Sequence, residues 1–297
     1  MATSLRRPNP RKVEPPSDCG VMYVSLAFTE RMNESCDPIS WSAVKVSVFD
    51  GTIHDYQTRV DSWCSLTGWC RELPRLKASA KVDAGSPVSF PGLSLFATTQ
   101  AVDLRCFARL RDLILSRISG KHYPVDDDAL HLTIADLVAG DRYLEALEHD
   151  GNVDRKVAER VTSVFREIGP LSKALKWRVA GVAFLKHAVA CVLEPLSASD
   201  YHSITRLRAH LYQDRGLAGC GVVVPRPFLA HITLAYFDVL PPVEERLTWL
   251  AYFEELQLAA KSSCAEIGVT GAILCEFESM ADFNSVCPLV SLSLCQM

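Results

Sequence analysis

The chain has 297 residues, of which 48% are hydrophobic and 22% are charged, so it can bury the core of one large domain or of two small lobes. Its formal net charge of -4 excludes the strongly basic surface with which proteins hold long nucleic acid by its phosphates. A short RNA end or a small nucleotide needs only a local basic pocket, so either is compatible with this charge.

The sequence contains no pattern typical of membrane insertion or secretion. Its apolar stretches fall short of the roughly 18–20 residues that a membrane-spanning helix needs, and no apolar run follows the basic residues near its start. Its 11 cysteines, an odd number without regular spacing, favour reduced thiols in an intracellular protein. We therefore expect a protein of the cytoplasm, with the nucleus as the alternative, that makes no contact with membranes. We also expect it to be a monomer.

The first 80 residues divide into two parts. Residues 1–18 hold four prolines and almost no large apolar side chain, which predicts a flexible tail. Residues 19–80 form an N-terminal extension, with Val-rich strands predicted at 21–28 and 43–49 and a helical or irregular segment at 57–76. No motif assigns this extension a role; we expect it to extend a sheet, with covering a cleft or binding a partner as alternatives.

Residues 81–297 are predicted to form one α+β domain in which helices alternate with strands. The elements expected in chain order are a turn at 84–87, a strand at 93–98, an amphipathic helix at 101–118, a strand at 130–137, helices at 142–149 and 153–168, two strands across 177–193, a helix at 199–214, strands at 222–224 and 229–237, a helix at 243–260, and strands at 266–276 and 288–295. This order favours a bilobed fold, in which two antiparallel-rich sheets face a central cleft and helices pack on the outer faces.

Two short motifs of the same form lie in two of the predicted strands. The first, LHLTI, spans residues 130–134, and the second, AHITL, spans residues 230–234. Side chains two positions apart on a strand point to the same face, so each strand presents an imidazole and a hydroxyl together while its apolar residues face the core. None of the other six histidines is followed by Ser or Thr two positions later, which makes the pair far more specific than either motif alone.

The four polar residues of these motifs are His131, Thr133, His231 and Thr233. Cleavage of a phosphodiester needs a base that activates the nucleophile and an acid that protonates the departing oxygen, and histidine, with an ordinary pKa near ~6.5, can do either. The threonine hydroxyls can donate to the non-bridging phosphate oxygens. This chemistry requires neither a metal nor a cofactor, and the sequence leaves open which histidine is the base.

Paired strands of this kind resemble those of the 2H phosphoesterases, a superfamily that includes 2′,3′-cyclic phosphodiesterases and 2′–5′ RNA ligase-like proteins. Residues 81–92, KVDAGSPVSFPG, resemble the segment that opens the domain in a largely uncharacterised branch of that superfamily. The resemblance covers residues 81–295. It implies a bilobed fold with a central cleft, two catalytic histidines, and two threonines that contact phosphate.

The resemblance breaks down just before the first motif, where the branch has a Pro-Pro-Ser type of turn. This chain has three consecutive aspartates there, at 126–128, which we expect in a solvated loop.

Arg226 and Tyr236, on either side of the second motif, are further candidates for substrate contact. A regular strand would turn Tyr236 toward the core, because it lies an odd number of positions from His231.

Three functions are compatible with these features. The favoured one is a phosphodiesterase that acts on a 2′,3′-cyclic phosphate, a cyclic nucleotide or a short RNA end, with RNA ligation as the same chemistry in reverse. The second is a nucleotide or RNA-end binding module with little turnover, although a binder needs no second imidazole. The third is a scaffolding protein in which the motifs are coincidental.

Overall fold

The computed structural model describes residues 50–99, 105–169, 174–224, 226–263, 266–279 and 287–293, the last as backbone. The tail predicted at 1–18 and the strands predicted at 21–28 and 43–49 lie outside these residues. The helices of the described part are α1 (Ile53–Cys64), α2 (Leu66–Glu72), α3 (Arg105–Leu115), α4 (Asp141–His149), α5 (Val153–Ile168), α6 (Ala198–Gln213), α7 (Arg215–Gly219), α8 (Val243–Thr248) and α9 (Phe253–Ser263). Single 3₁₀ turns follow α2 and α8, at Leu73–Arg75 and Trp249–Tyr252.

The strands pair antiparallel in a small hairpin and a large sheet. They are β1 (Val82–Asp83), β2 (Ser86–Pro87), β3 (Gly92–Thr99), β4 (Lys121–Pro124), β5 (Thr133–Ala139), β6 (Leu175–Leu185), β7 (Ala188–Pro195), β8 (His231–Val239), β9 (Ile267–Phe277) and β10 (Cys287–Ser293). The hairpin is β1–β2, and the large sheet runs β4-β8-β7-β6-β9-β3-β5, with β10 also paired to β9. The α+β class is therefore confirmed.

The two lobes are halves of this one sheet. One half holds β4, β8, β7 and β6, and the other holds β9, β3, β5 and β10. Only three register pairs, centred on Lys176 and Gly268, join β6 to β9. At the far side, a single antiparallel bridge between Leu132 and Ile232 connects the two halves again. The two motif strands, β5 and β8, meet at that bridge.

Most predicted elements are confirmed with small changes of boundary. Helix α5 matches its prediction because Val153, Val157, Val161 and Val164 recur at helical spacing and are all buried. The strand predicted at 222–224 is wrong: this segment is irregular, with Val222 buried and Val223 exposed. Three adjacent valines favour extended backbone, but a strand forms only where a neighbouring strand supplies hydrogen bonds.

The described part of the N-terminal extension is helical and packs into the core. Helix α1 begins at a capping box, in which Thr52 and Asp55 each accept a hydrogen bond from the other's backbone N–H. The Tyr56 hydroxyl donates to Leu193 O at 2.5 Å, and the Trp69 indole donates to Val182 O at 3.0 Å. Both side chains are fully buried. Helices α1 and α2 therefore cover β6 and β7 instead of adding strands to the sheet.

A buried ion pair connects the start of the described chain to both motif strands. Arg208 on α6 donates from Nε to Asp50 Oδ2 at 2.8 Å and from Nη1 to Ile134 O of β5 at 2.5 Å. The carboxylate also accepts the backbone N–H of Phe228, three residues before His231, at 2.8 Å. Asp50 is 1% exposed and Arg208 is 5% exposed. Each charge is thus paired with the other. Each also bonds a backbone group that would otherwise be buried without a partner.

Among the described cysteines, one departs from the expectation of reduced thiols. Cys64, Cys70, Cys191, Cys220 and Cys275 are free, whereas Cys106 is disulfide-bonded. The expectation was wrong for Cys106 because spacing along a chain does not reveal which thiols meet in space.

Among the described residues, no helix has both the length and the apolar character needed to cross a bilayer.

We predict that Asp50→Ala lowers the free energy of unfolding by about 3–5 kcal/mol, because it leaves the Arg208 guanidinium buried without its counter-charge. Urea denaturation of the full chain measures this loss. The double variant Asp50→Ala/Arg208→Leu should recover part of it, since the stranded charge is gone. A double variant no more stable than Asp50→Ala would contradict this account.

Candidate active site

The two His-x-Thr motifs meet where the halves of the sheet touch. The bridge pairs Leu132 with Ile232 in antiparallel sense, so His131 lies toward Thr233 and Thr133 lies toward His231. The apolar motif residues all lie on the core side, as the alternation predicts, and they are Leu130, Leu132, Ile134, Ala230, Ile232 and Leu234, each at most 3% exposed. The polar face of each motif therefore opens onto one shared cavity.

A β-bulge follows the threonine in each motif strand. On β5 the register against β3 shifts by one residue between Thr133 and Ala135, and on β8 the register against β7 shifts between Thr233 and Ala235. A bulge of this kind reverses the alternation of side chains beyond it. The residue three positions after each threonine consequently joins the polar face. These residues are Asp136 on β5 and Tyr236 on β8, and both line the cavity.

The two imidazoles are held in the same way. His131 Nδ1 lies 2.7 Å from Ala129 O, and His231 Nδ1 lies 2.8 Å from Leu229 O, in each case two residues earlier in the chain. A carbonyl oxygen only accepts hydrogen bonds, so Nδ1 carries the proton in the neutral ring and Nε2 carries the lone pair. Both histidines thus have the tautomer in which Nε2 can take up a proton.

Burial lowers the pKa of both histidines to about 4. For His131 the backbone hydrogen bond and the Asp136 carboxylate oppose this effect, whereas the Arg226 guanidinium adds to it at His231. The Phe96 ring, with its centre 4.0 Å from that of His131, contributes to the apolar surroundings. Both imidazoles are therefore neutral at pH 7 while the cavity is empty of anions.

The cavity has a volume of about 390 Å³ and is lined by all six residues that the sequence suggested as site residues. They are His131, Thr133, His231, Thr233, Arg226 and Tyr236. Arg226 is exposed, whereas Tyr236 is 6% exposed and its hydroxyl is hydrogen-bonded to the Thr233 side chain. The expectation that Tyr236 faces away from His231 is wrong, because the bulge at Leu234 reverses the alternation.

Six further polar residues line the cavity, namely Ser79, Lys81, Asp136, Arg142, Lys186 and His187. Asp136 was detectable, because it occupies the same offset from Thr133 that Tyr236 occupies from Thr233. The other five lie outside both motifs and come to the cavity only through the fold. The aspartates 126–128 are exposed, as expected, and they do not line the cavity.

Histidine ring NMR tests the electrostatics of this site. We predict that His131 and His231 titrate with midpoints near pH 4, well below the ~6.5 of a solvated imidazole, because burial disfavours their charged forms. Their resonances are identified by their absence in His131→Ala and His231→Ala. The same shift makes the folded chain lose stability as pH falls from about 6.5 toward 4, since the unfolded chain binds protons first. Midpoints at or above 6.5 would contradict the assigned burial.

Comparisons with known proteins identify the fold. No protein-family model matches the chain, and no curated protein is significantly similar to it in sequence. Among solved structures, the conserved protein of unknown function ATU0111 from Agrobacterium tumefaciens has a TM-score of 0.51 at 19% identity, over 72% of this chain and 89% of that one.

Two further structures match with lower scores. TT0787 of Thermus thermophilus has a TM-score of 0.42 at 17% identity, over 68% of this chain and 97% of that one. E. coli LigT complexed with 3′-AMP has a TM-score of 0.40 at 16% identity, over 70% and 99%. At such identities a structural likeness establishes the fold and not the reaction. The chain therefore shares its fold with the Agrobacterium tumefaciens protein, whose TM-score of 0.51 is higher than those of the other two.

Proposed function

We propose that this chain is a metal-independent phosphodiesterase that acts on a 2′,3′-cyclic phosphate, a cyclic nucleotide or a short RNA end. The observation that supports the proposal is the meeting of two His-x-Thr pairs in one cavity, around the bridge between Leu132 and Ile232. A single buried histidine serves structure in many proteins. Two imidazoles with the same tautomer, each beside a hydroxyl, are what proton transfer on both sides of a phosphorus atom requires.

In this mechanism one histidine takes a proton from the attacking water or ribose hydroxyl through its Nε2, and the other gives a proton to the departing oxygen. Protonation of the departing oxygen needs an imidazolium, which burial of the rings disfavours. A bound phosphate monoanion reverses that preference, because a negative charge at a few ångströms favours the protonated ring. Substrate binding in this proposal therefore creates the acid on one histidine, while the other stays neutral as the base.

The remaining residues of the cavity fit an anionic, partly aromatic substrate. In this proposal the hydroxyls of Thr133 and Thr233, which line the cavity, donate to non-bridging oxygens, and Arg226 adds positive charge. The Tyr236 phenol, whose pKa burial raises, stays a neutral donor at physiological pH. Phe90 offers an aromatic face on which a nucleobase can stack.

We predict that the protein opens a 2′,3′-cyclic nucleotide in the presence of EDTA, and that His131→Ala and His231→Ala each lower kcat/KM at least ~10²-fold, as loss of an acid or base does. Turnover is measured by separation of substrate from its monophosphate products. The control is His54→Ala, which removes an exposed imidazole on α1 outside the cavity and should leave the rate unchanged.

The outcomes of this experiment separate the alternatives. Loss of activity on chelation contradicts a metal-independent reaction. Tight binding of the nucleotide without turnover supports the second function, a binding module on the same fold. Joining of a 2′,3′-cyclic RNA end to a 5′-hydroxyl end by the same residues would show that the reverse reaction is the relevant one.

The threonines give a separate prediction. Thr133→Val and Thr233→Val should each lower kcat/KM by about 10–10²-fold, because each loses one donor to the phosphate while keeping its volume. Thr133→Ser and Thr233→Ser retain the hydroxyl and should stay within a few fold of the wild type. Equal losses in the Val and Ser variants would indicate a packing role instead of a hydrogen bond.

A further inference from the structure

Lys81 lines the cavity, although it belongs to neither motif. Its Nζ lies 4.8 Å from the centre of the Phe90 ring and 5.6 Å from that of the Tyr236 ring. His131 and His231 line the same cavity. A lysine without a role here would extend its ammonium into water, since that group is strongly hydrated. This one is instead held against two aromatic rings at the site.

The backbone on both sides of Lys81 fixes its position relative to β8. Its N–H donates to Ser79 Oγ at 3.2 Å, and its carbonyl accepts from Val88 N at 2.9 Å, next to the β1–β2 hairpin. Ser79 in turn donates its N–H to Phe237 O of β8 at 2.7 Å. Because β8 also carries His231, the backbone near Lys81 and this histidine are held by the same strand.

The charges around Lys81 favour an anion. Of the described residues that line the cavity, four are cations, namely Lys81, Arg142, Lys186 and Arg226, and one is a carboxylate, Asp136. This excess is local, because the whole chain carries a formal net charge of -4. Burial lowers the pKa of Lys81 to about 8, with Asp136 opposing the shift and Arg226 adding to it. The ammonium is thus partly desolvated, a cost that a bound anion offsets.

We propose that the Lys81 ammonium binds the phosphoryl group of the substrate and stabilises the negative charge on its non-bridging oxygens. It would act beside Thr133 and Thr233 as a third and charged contact. A charged donor is worth more than a hydroxyl where the surroundings exclude water, and most where the charge on the phosphate grows. This assignment rests on the proposed phosphodiesterase function, because it deepens the same site.

The experiment compares Lys81→Met with Lys77→Met in the full chain. Both remove one positive charge, but Lys77 is exposed, four residues earlier, and outside the cavity. We expect Lys81→Met to weaken the binding of inorganic phosphate at least ~10-fold by calorimetry, and to lower kcat/KM for the cyclic nucleotide by about 10²-fold. Lys77→Met should match the wild type in both measurements.

Thermal denaturation of the same variants separates binding from structure. A partly desolvated ammonium is costly, so Lys81→Met should melt at the same temperature as the wild type or higher. If Lys81→Met melts at a lower temperature, the test moves to Lys81→Arg, which keeps the positive charge. Phosphate binding by Lys81→Arg supports the proposal, and loss of binding in a folded Lys81→Arg overturns it. Wild-type phosphate affinity in Lys81→Met, or no phosphate binding by the wild type itself, also overturns it.

The pH dependence of phosphate binding provides an independent measurement. At pH values above its second pKa, phosphate is a dianion throughout. Changes in its affinity at such pH values therefore report on the protein. Wild-type affinity should fall as pH rises through about 8, when Lys81 loses its proton, and Lys81→Arg should remain constant to higher pH. A wild-type profile that is constant from pH 8 to pH 10 would overturn the proposal. The groups around Lys81 in this titration are Phe90, His131, Asp136, Lys186, His187, Arg226 and Tyr236.

The two proposals fail separately. Phosphate binding requires no turnover, so it tests Lys81 even if the cyclic nucleotide is not a substrate. Conversely, normal phosphate binding by Lys81→Met, together with loss of turnover in His131→Ala and His231→Ala, removes the role of Lys81 and leaves the phosphodiesterase intact.

Discussion

The geometry of the site depends on the buried ion pair between Asp50 and Arg208. Arg208 donates to the backbone of β5 directly after Thr133, and Asp50 accepts from the backbone at Phe228, just before His231. One pair of charges therefore supports both motif strands at the point where they approach each other. Because a buried charge that loses its partner costs several kcal/mol, any movement that separates the two strands here is opposed strongly.

This constraint matters because little else joins the two halves of the sheet near the site. They share three register pairs between β6 and β9, and a single bridge at Leu132 and Ile232. A cavity needs such a separation, since a continuous ladder between β5 and β8 would fill it with backbone. The ion pair and the bridge keep the separation fixed, so the two imidazoles stay in register with the two hydroxyls.

The sequence predicted the parts of the site that follow from regular strand geometry. His131, Thr133 and their counterparts in β8 were identified because alternation alone places them on one face. Tyr236 was oriented wrongly because a bulge at Leu234 is decided by pairing with β7, which no local pattern reveals. The supporting role of residues 50–76 was also undetectable. Tyr56 accepts the N–H of Ala230, next to His231, through a contact that spans 174 positions.

The same burial that gives the site its chemistry also makes it costly to form. Two imidazoles and one ammonium are held in a cavity whose surroundings lower all three pKa values, so each charged form is disfavoured until an anion enters. A phosphate then raises the affinity of these groups for protons, and by linkage the protonated groups raise the affinity for phosphate. Under the proposed function, the cavity is therefore selective for anions that can supply charge at its centre. A neutral ligand of equal shape would leave the cost of burying Lys81 without compensation.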